Sequence, residues 1–519
     1  MKLRKIICVA VVALLAVSSL AGCGGKKELA TGHLTYWMGN YTTGEKLDNF
    51  GDMEGIKKVH ENLGITVDYI HPSSAAWEES FNIMIASGDY TDMIYWNWDS
   101  KYIGGYEGAL NDGIILDLTD KIDDLPNYAK LLEQNPEVDK TIRTTDGKLL
   151  FFTTVKENTS LNSCYGPMIR KDWLEKLGLS MPTTIDEWYT VLKAFKEKDP
   201  NGNGKADEIP YAETKGASFK QFAGAFGTRA GLYVKNGKVV YGFMQPEFKE
   251  FVTEMNKWYK EGLIDSEFAA LDGSTANAYM SNGTSGATMG WVGSGMGTYL
   301  AAGKSDPNYD LVAAPWPSLE KGGKNYIPQD FDRITAIDTG AVISTKCTNV
   351  DAALRYMDYF YTDEATVLMN WGIEGKSYVV ENGEYKLTDY VTNNPDGKSR
   401  LQAISLYANT SSGAPQKIMD AEAFAAVQYG TPEQKDASII WDQGDRSLMT
   451  QQWPLSAEEK AKLSEIEGSI LTYESEVITK MVMGTEPLAN YNKHMLELKN
   501  RGIDEMLSIY QTAYDRFMK

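Results

Sequence analysis

Histidine, cysteine and positive charge are all scarce in this sequence. Of its 519 residues, 4 are histidine and 4 are cysteine, and 51 lysines and arginines stand against 71 aspartates and glutamates, for a net charge of −20. Nucleic acid is therefore excluded as a main partner, because proteins bind its phosphates through lysine and arginine. The four histidines include no close pair in sequence, which argues against a histidine-based metal centre.

Sequence motifs of catalysis are also absent. The chain has no G-x-S-x-G nucleophile elbow, no phosphate-binding P-loop and no H-E-x-x-H zinc motif. Glycosidase carboxylates are positioned by the fold rather than by sequence spacing, so an exported glycoside hydrolase stays open as an alternative. The hydrophobic share of 43% and the charged share of 24% are those of a globular protein, and the length suits about three domains or two large lobes.

The amino-terminal segment has the pattern of an export signal. A basic start is followed by an apolar run over residues 6–20, which is too short to span a membrane comfortably. The run ends in Leu-Ala-Gly-Cys, which resembles the bacterial lipoprotein box, and Cys23 would carry the lipid. An ordinary signal peptide with an incidental cysteine is the alternative. We expect a signal peptide over 1–22 and a lipid-anchored tether over 23–29, which places the protein on the extracytoplasmic face of the cell membrane.

Two cysteines remain after the tether, Cys164 and Cys347. In an exported protein they could form a disulfide, but pairing requires Cα atoms about 4–7 Å apart, which the sequence does not show. We expect two separate buried thiols. A catalytic role is disfavoured because neither cysteine has a histidine nearby in sequence to lower its pKa.

The chain alternates between strand and helix patterns. Strands are predicted at 34–37, 65–70 and 93–96, with helices at 53–63 and 77–86 between them. This alternation indicates parallel β-α-β units, in which ligands bind at the carboxyl ends of the strands. An apolar run at 148–155 has strand character, and the segment 287–292 is predicted to be a buried strand.

Two capping boxes predict where helices begin. Thr184 with Glu187 opens a helix whose buried face carries apolar residues from Ile185 to Phe195, and Ser456 with Glu459 opens a helical carboxyl-terminal part.

The segment from residue 199 to 210 has the ligand spacing of a calcium-binding loop. Oxygen-bearing side chains recur at loop positions 1, 3, 5 and 9, glycine stands at position 6, and a main-chain carbonyl is available at position 7. Position 12 is Pro210 instead of the usual glutamate, so Glu208 must replace it. A polar turn without metal is the alternative. The predicted ligands of a structural Ca²⁺ are Asp199, Asn201, Asn203, Lys205 (through its carbonyl), Asp207 and Glu208.

Aromatic residues at predicted strand ends are candidates for ligand contact. Trp96 ends one predicted strand, with Trp98 and Asp99 directly after it, and Trp291 lies near the end of another. Indole faces cover sugar rings, and aspartate accepts hydrogen bonds from hydroxyls. The alternative is that some of these rings belong to the core, because successive strand residues point to opposite faces. Loop position alone adds three weaker candidates: Asn40, Tyr41 and Glu157.

Four longer motifs carry a resemblance to a known family. They are SGDYTDMIYW at 87–96, IRKDWLEKLG at 169–178, WGIEG at 371–375 and YQTAYDR at 510–516. Together they resemble the extracellular solute-binding proteins of ABC importers, in the carbohydrate-binding lipoprotein group that includes the alginate-oligosaccharide-binding proteins. One departure is Thr91, which stands where the family usually has proline.

The resemblance implies an α/β, two-lobed periplasmic-binding-protein-like fold of class II type, with several crossovers between the lobes and a helical carboxyl-terminal part. The first lobe would comprise 30–154 plus 330–425, and the second 155–329 plus 426–519. The family also implies a structural calcium at the predicted loop, and maltodextrin-binding relatives place ligand contacts at the positions of Trp96, Asp99 and Trp291.

The function that the resemblance implies is a monomeric, non-enzymatic receptor. It would capture an oligosaccharide or modified sugar between the lobes and deliver it to the ABC permease in the membrane. The alternatives are an exported enzyme acting on glycosides and a receptor for a non-sugar solute such as a peptide, because lobed receptors share one scaffold across ligand classes.

Replacing Cys23 tests the lipid anchor. The substitution Cys23→Ser removes the sulfur that accepts the lipid, so the variant should leave the detergent phase in a phase-partitioning experiment, whereas the parent protein enters it. A variant that partitions like the parent contradicts the anchor.

Overall fold

The computed structural model describes residues 29–40, 47–327, 339–410, 413–414, 416–450 and 452–519. The predicted signal peptide, most of the tether with Cys23, and Tyr41 lie outside the described residues.

Strands are distributed over the whole described chain up to residue 419. In chain order they are β1 (Gly32–Trp37), β2 (Ile65–Ile70), β3 (Met93–Trp96), β4 (Val155–Lys156), β5 (Tyr165–Arg170), β6 (Ile209–Tyr211), β7 (Leu232–Lys235), β8 (Lys238–Tyr241), β9 (Ser285–Trp291), β10 (Leu311–Ala313), β11 (Gly340–Ile343), β12 (Tyr378–Glu381), β13 (Glu384–Leu387) and β14 (Ile418–Met419).

Helices alternate with these strands and then form the carboxyl-terminal part alone. In chain order they are α1 (Glu54–Leu63), α2 (Trp77–Ser87), α3 (Trp98–Lys101), α4 (Gly105–Asn111), α5 (Pro126–Gln134), α6 (Pro136–Ile142), α7 (Lys171–Leu177), α8 (Ile185–Glu197), α9 (Pro246–Lys260), α10 (Gly273–Ser281), α11 (Gly297–Gly303), α12 (Val350–Tyr359), α13 (Asp363–Asn370), α14 (Asp389–Thr392), α15 (Arg400–Ile404), α16 (Ala421–Gln428), α17 (Pro432–Asp442), α18 (Ala457–Met483), α19 (Tyr491–Asn500) and α20 (Ile503–Phe517).

Two four-stranded sheets organise the molecule. The first has the order β11-β3-β1-β2, with β1 parallel to β2 and β3, and β11 antiparallel to β3. The second has the order β10-β5-β9-β6, with β9 parallel to β6 but antiparallel to β5. The parallel β-α-β units predicted from the sequence are therefore confirmed in the first sheet. The carboxyl ends of β1 and β3 lie side by side, at the edge of the sheet where ligands of such folds bind.

Predicted and observed boundaries agree closely in the first sheet. β2 and β3 begin and end at the predicted residues, and α2 is longer than predicted by Ser87 alone. The run at 148–155 is different, because a ladder forms only at Val155–Lys156. Upstream, Phe152 makes a single isolated bridge to Ala341. This segment is buried and apolar without being a regular strand, so apolar character alone misidentified it.

The two predicted capping boxes differ in detail. At α18, Ser456 and Glu459 form the complete reciprocal box. At α8, Thr184 accepts from the Glu187 amide at 3.2 Å, but the Glu187 carboxylate accepts from the Thr183 amide and hydroxyl at 2.8 and 2.7 Å. The helix still begins where predicted. Its predicted apolar face is buried in full: Ile185, Trp188, Val191, Leu192 and Phe195.

Each sheet has a hydrophobic core of its own. The first core combines the first sheet with α1, α2, α5 and α12, and the second combines strands of the second sheet with α8, α9, α18 and α20. A short parallel ladder of β4 with β14 connects segments far apart in sequence. Cys164 and Cys347 are both buried and form no disulfide, as predicted.

Close packing on the second sheet gives a direct test of this fold. A Cβ added at Gly166 in β5 would lie 2.5 Å from the buried Trp441 ring, so Gly166→Ala forces the ring or the strand to move. Overpacking of this kind costs about 1–3 kcal/mol. We expect a lower melting temperature by calorimetry.

Gly468 in α18 serves as the control, because an added Cβ there meets nothing within 4 Å. Gly468→Ala should raise the melting temperature slightly, since alanine is favoured over glycine inside a helix by about 1 kcal/mol. Equal effects of the two substitutions would contradict the packing of Trp441 on β5.

Candidate functional site

Two tryptophans predicted as ligand contacts lie inside the first lobe. Trp96 is 6% exposed and its ring packs 5.0 Å from Phe81, between centroids, and 5.4 Å from Trp37. Trp98 is fully buried, and its ring meets Phe81 edge-on at 5.3 Å. A ring enclosed in this way offers no face to a ligand. For Trp98 the structure favours the core alternative, and for Trp96 it leaves only a small edge accessible.

Asp99, just after β3, contacts the carboxyl-terminal helix α18. Its carboxylate forms an ion pair with Lys460 of α18, and the two side chains are 17% and 12% exposed. The pair links the loop after β3 to the carboxyl-terminal helices. A second contact reinforces it, because the Ala457 amide at the start of α18 donates to Glu107 at 2.8 Å. Asp99 therefore has a structural partner in addition to any ligand contact.

Trp291 is the predicted contact that the structure leaves most open. It ends β9, is 41% exposed, and its ring packs edge-on against Tyr165 with 5.1 Å between centroids. Tyr165 stands directly opposite in the β5–β9 register. The following residue is held on both sides: the Val292 amide donates to the Cys164 carbonyl, and its carbonyl accepts from Gln434, each at 2.7 Å. The indole is thus exposed on a rigid support.

Tyr165 is a residue that the sequence did not single out. Burial raises its pKa, and the nearby charge of Glu213 raises it further, so the phenol stays protonated. Glu213 is 2% exposed and accepts hydrogen bonds from Ser218 and from the Phe219 amide at 2.6 Å. No pattern in the sequence distinguishes Tyr165 among the 30 tyrosines of the chain.

Two weaker candidates have local structural contacts. Asn40 donates to the Leu47 carbonyl at 2.6 Å and so stabilises the loop after β1. Glu157 follows β4, and its carboxylate accepts from the Ala421 amide at 3.0 Å, at the beginning of α16. Glu157 therefore lies at the β4–β14 crossover.

The predicted calcium loop folds around its own oxygens. Asp199, at a positive φ of 46°, accepts from the amides of Gly202 at 2.8 Å and Gly204 at 3.0 Å through its two oxygens. Asn203 donates to Asp207 at 3.0 Å. Hydrogen bonds from Asn203 and Asn201 lower the pKa of Asp207. The acidic and amide groups of the loop thus converge.

Glu208 provides the test of whether these residues fit a cation. Both of its carboxylate oxygens are buried, and among the described residues neither has a hydrogen-bond partner. Burial raises its pKa, and the charges of Asp199 and Asp207 raise it further. A buried carboxylate beside two others is unfavourable without a cation, so the donor set fits Ca²⁺.

A cation bound at this loop would also need uncharged oxygen ligands. Across the described ranges, no group of three or more histidine, cysteine, aspartate or glutamate side chains is arranged to hold a metal. A cation at this loop would therefore need the asparagine and main-chain oxygens that the EF-hand spacing provides.

In the part of the chain that the structure describes, no helix is both long enough and apolar enough to cross a membrane.

Comparison with known proteins gives consistent relatives. The family model described as bacterial extracellular solute-binding protein matches residues 52–367, more than half of the chain. The chain is 26% identical over 511 residues to the fructooligosaccharide ABC transporter substrate-binding protein FusA of Streptococcus pneumoniae serotype 4, covering 89% of this chain and 86% of FusA.

Solved structures show the same fold. The alginate-binding protein AlgQ2, in a crystal structure without calcium ion, superimposes with a TM-score of 0.75 at 25% identity, over 93% of this chain and 98% of AlgQ2. An EF-hand mutant of S. pneumoniae FusA in complex with fructo-nystose has a TM-score of 0.75 at 23% identity, over 94% of this chain and 99% of FusA. AlgQ2 is named as an alginate-binding protein and FusA as an ABC transporter substrate-binding protein, which agrees with the non-enzymatic receptor expected from the sequence. The chain belongs to the bacterial extracellular solute-binding protein family and has its two-lobed α/β fold.

Proposed function

We propose that this protein captures an oligosaccharide between its lobes and delivers it unchanged to an ABC permease. The exposed Trp291 ring, supported by Tyr165, is the observation that carries the proposal. A rigid aromatic face at a strand end is the surface that a sugar ring can stack on, and ligand sites combine such faces with a few polar groups. Two relatives support the class of ligand, since FusA is named for fructooligosaccharides and AlgQ2 for alginate.

The remaining parts of the proposal follow from the sequence. The protein is anchored by lipid on Cys23 at the outer face of the membrane and acts as a monomer. Its lobes comprise 30–154 plus 330–425 and 155–329 plus 426–519. The β4–β14 crossover between them, with Glu157 beside it, would take part in a hinge motion that closes the lobes around the ligand. Asn40, Tyr41, Trp96 and Asp99 stay proposed contacts on the first-lobe side.

We further propose that the loop from Asp199 to Glu208 holds a structural Ca²⁺. Its support is the buried, unpartnered Glu208 carboxylate beside Asp199 and Asp207, together with the EF-hand spacing. The EF-hand mutant of FusA shows that such a loop exists in a relative of the same fold. The bound ion would neutralise the carboxylates and stabilise the turn between α8 and β6.

Comparing two tryptophan substitutions tests the stacking role. Trp291→Ala should weaken binding of the best ligand in a glycan panel by about 2 kcal/mol, as for an anchoring aromatic residue, which is roughly thirtyfold in affinity. Its melting temperature should change little, because an exposed ring leaves no cavity. Trp98→Ala is the matched control: it removes a fully buried ring and should cost about 3–5 kcal/mol of stability.

Titration calorimetry and melting curves of both variants measure these effects. Unchanged affinity in Trp291→Ala would remove the basis of the proposed site. If no glycan in the panel binds the parent protein, the proposed ligand class is wrong.

Removal of calcium tests the loop. A chelator should lower the melting temperature of calcium-loaded protein, because a ligand that binds only the folded state stabilises it by about 2.7 kcal/mol at roughly a hundred times its Kd. Asp199→Ala should abolish this response. Asp306→Ala removes a carboxylate from another exposed turn and should keep the response. A chelator effect that survives in Asp199→Ala would place the ion elsewhere.

A further inference from the structure

A pocket lies beside the proposed junction of the two lobes, apart from the surface around Trp291. It has a volume of about 430 Å³ and is enclosed by α18, α20 and the β7–β8 hairpin of the second lobe, while Asp99 lines it from the first lobe. Leu471, which is 47% exposed, lines the pocket where it meets solvent. The volume falls within the range of small-molecule sites. Neither Trp291 nor any residue of the calcium loop lines this pocket.

One oxygen of a buried carboxyl group in this pocket has no hydrogen-bond partner among the described residues. Glu474 is 6% exposed, and its Oε2 accepts from the Tyr241 hydroxyl at 2.5 Å. Its Oε1 is buried and has no hydrogen-bond partner among the described residues. Burial raises the pKa of this group. Since buried polar atoms are nearly always hydrogen-bonded, an open position at Oε1 points to a partner that the pocket receives.

The other lining groups decide the chemical class of that partner. Glu467 accepts from the Tyr510 hydroxyl at 3.0 Å. Arg229 is 7% exposed and donates to the Ala230 carbonyl at 3.2 Å, and the Trp453 ring also lines the pocket. Arg229 would repel an organic cation, and the two glutamates disfavour an anion. A neutral ligand with several hydroxyl groups can donate to the carboxyl oxygens and accept from Arg229.

The position of Asp99 connects this pocket to the proposed binding cleft. Asp99 follows β3, whose carboxyl end lies at the edge of the first sheet where ligands of this kind of fold bind. Asp99 lines the pocket together with Glu474 and so joins it to the loop after β3. In the proposal, a chain of sugar units held in the cleft would continue past Asp99 into this pocket.

We propose that this pocket is a second carbohydrate subsite, which takes a sugar unit of an oligosaccharide longer than the cleft alone accommodates, with Glu474 and Arg229 as its hydrogen-bonding groups. The inference rests on the proposed function and adds to it a preference for chain length. A single-site receptor without this pocket would bind short and long members of one glycan series alike.

Titration calorimetry on short and long members of the same glycan series tests this subsite. The probes are two neutral pairs: sucrose with nystose, and maltose with maltotetraose. Two variants address the pocket: Glu474→Gln keeps the shape and the contact to Tyr241, and Leu471→Arg blocks the entrance from an exposed position. Glu465→Gln, at an exposed position of the same helix, is the control.

The subsite predicts a loss confined to the longer probe. Glu474→Gln should weaken the longer member of the bound series about tenfold, as expected for one lost hydrogen bond to the carboxyl group, and Leu471→Arg should weaken it by obstructing the entrance. Both variants should leave the shorter member unchanged. Glu465→Gln should match the parent. Melting curves show whether Glu474→Gln is folded. If it is not, the affinity of Leu471→Arg for the longer glycan still tests the subsite.

Different results would contradict the subsite and the proposed function. Parent-like affinity for both lengths, or an equal loss for both, overturns the subsite while the proposed function stands. Binding of the diamine putrescine that Glu474→Gln abolishes would replace the sugar with a cation. Failure of every glycan to bind the parent protein contradicts the proposed function itself, and the subsite with it.

Discussion

The antiparallel pairing of β5 with β9 is the interaction on which the proposed site depends. It places Tyr165 opposite Trp291 and holds one edge of the indole while the rest stays in solvent. Close packing of Gly166 against Trp441 leaves no space for the strand to shift. An exposed aromatic side chain usually loses rotamer freedom when it binds, and a supported ring has already lost most of it. The fixed position of the ring therefore lowers the entropy cost of binding a ligand on this surface.

The tryptophans predicted as ligand contacts differ in burial. In the first lobe, Trp96 and Trp98 pack on Phe81 and contribute to stability. In the second, Trp291 remains exposed and Tyr165 supports it. The lobes are also joined by charge, since Asp99 pairs with Lys460 and brings the loop after β3 against α18. In the proposed function, the ligand would contact the supported Trp291 ring and the loop that the Asp99–Lys460 ion pair holds.

Much of the fold was predictable because its patterns are local. The boundaries of β2 and β3, the buried face of α8 and the box at Ser456 all follow from spacing and capping within one element. The family was recognisable from short motifs for the same reason. The strand at 287–292 was also predicted from a local pattern, an apolar segment within a stretch rich in glycine, serine and threonine, and the structure has β9 at Ser285–Trp291.

The rest depended on contacts between distant residues. Whether the Trp98 ring turns inward is decided by Phe81 and the helical turn of α3, which no spacing in the sequence encodes. Tyr165 could be recognised as part of the proposed site only from its pairing with Trp291 across the strands. The pocket at Glu474 is assembled from α18, α20 and a hairpin far away in the chain. The calcium loop was predictable only in part. Its ligand spacing is a local sequence pattern, whereas the burial of Glu208 depends on residues outside the loop.

Equilibrium dialysis against a mixture of glycans, with mass spectrometry of both compartments, tests the central claim most directly. Capture without chemistry predicts that one oligosaccharide is enriched on the protein side with its mass unchanged. Shorter products in either compartment would identify an enzyme, and the absence of any enrichment would contradict a receptor for oligosaccharides.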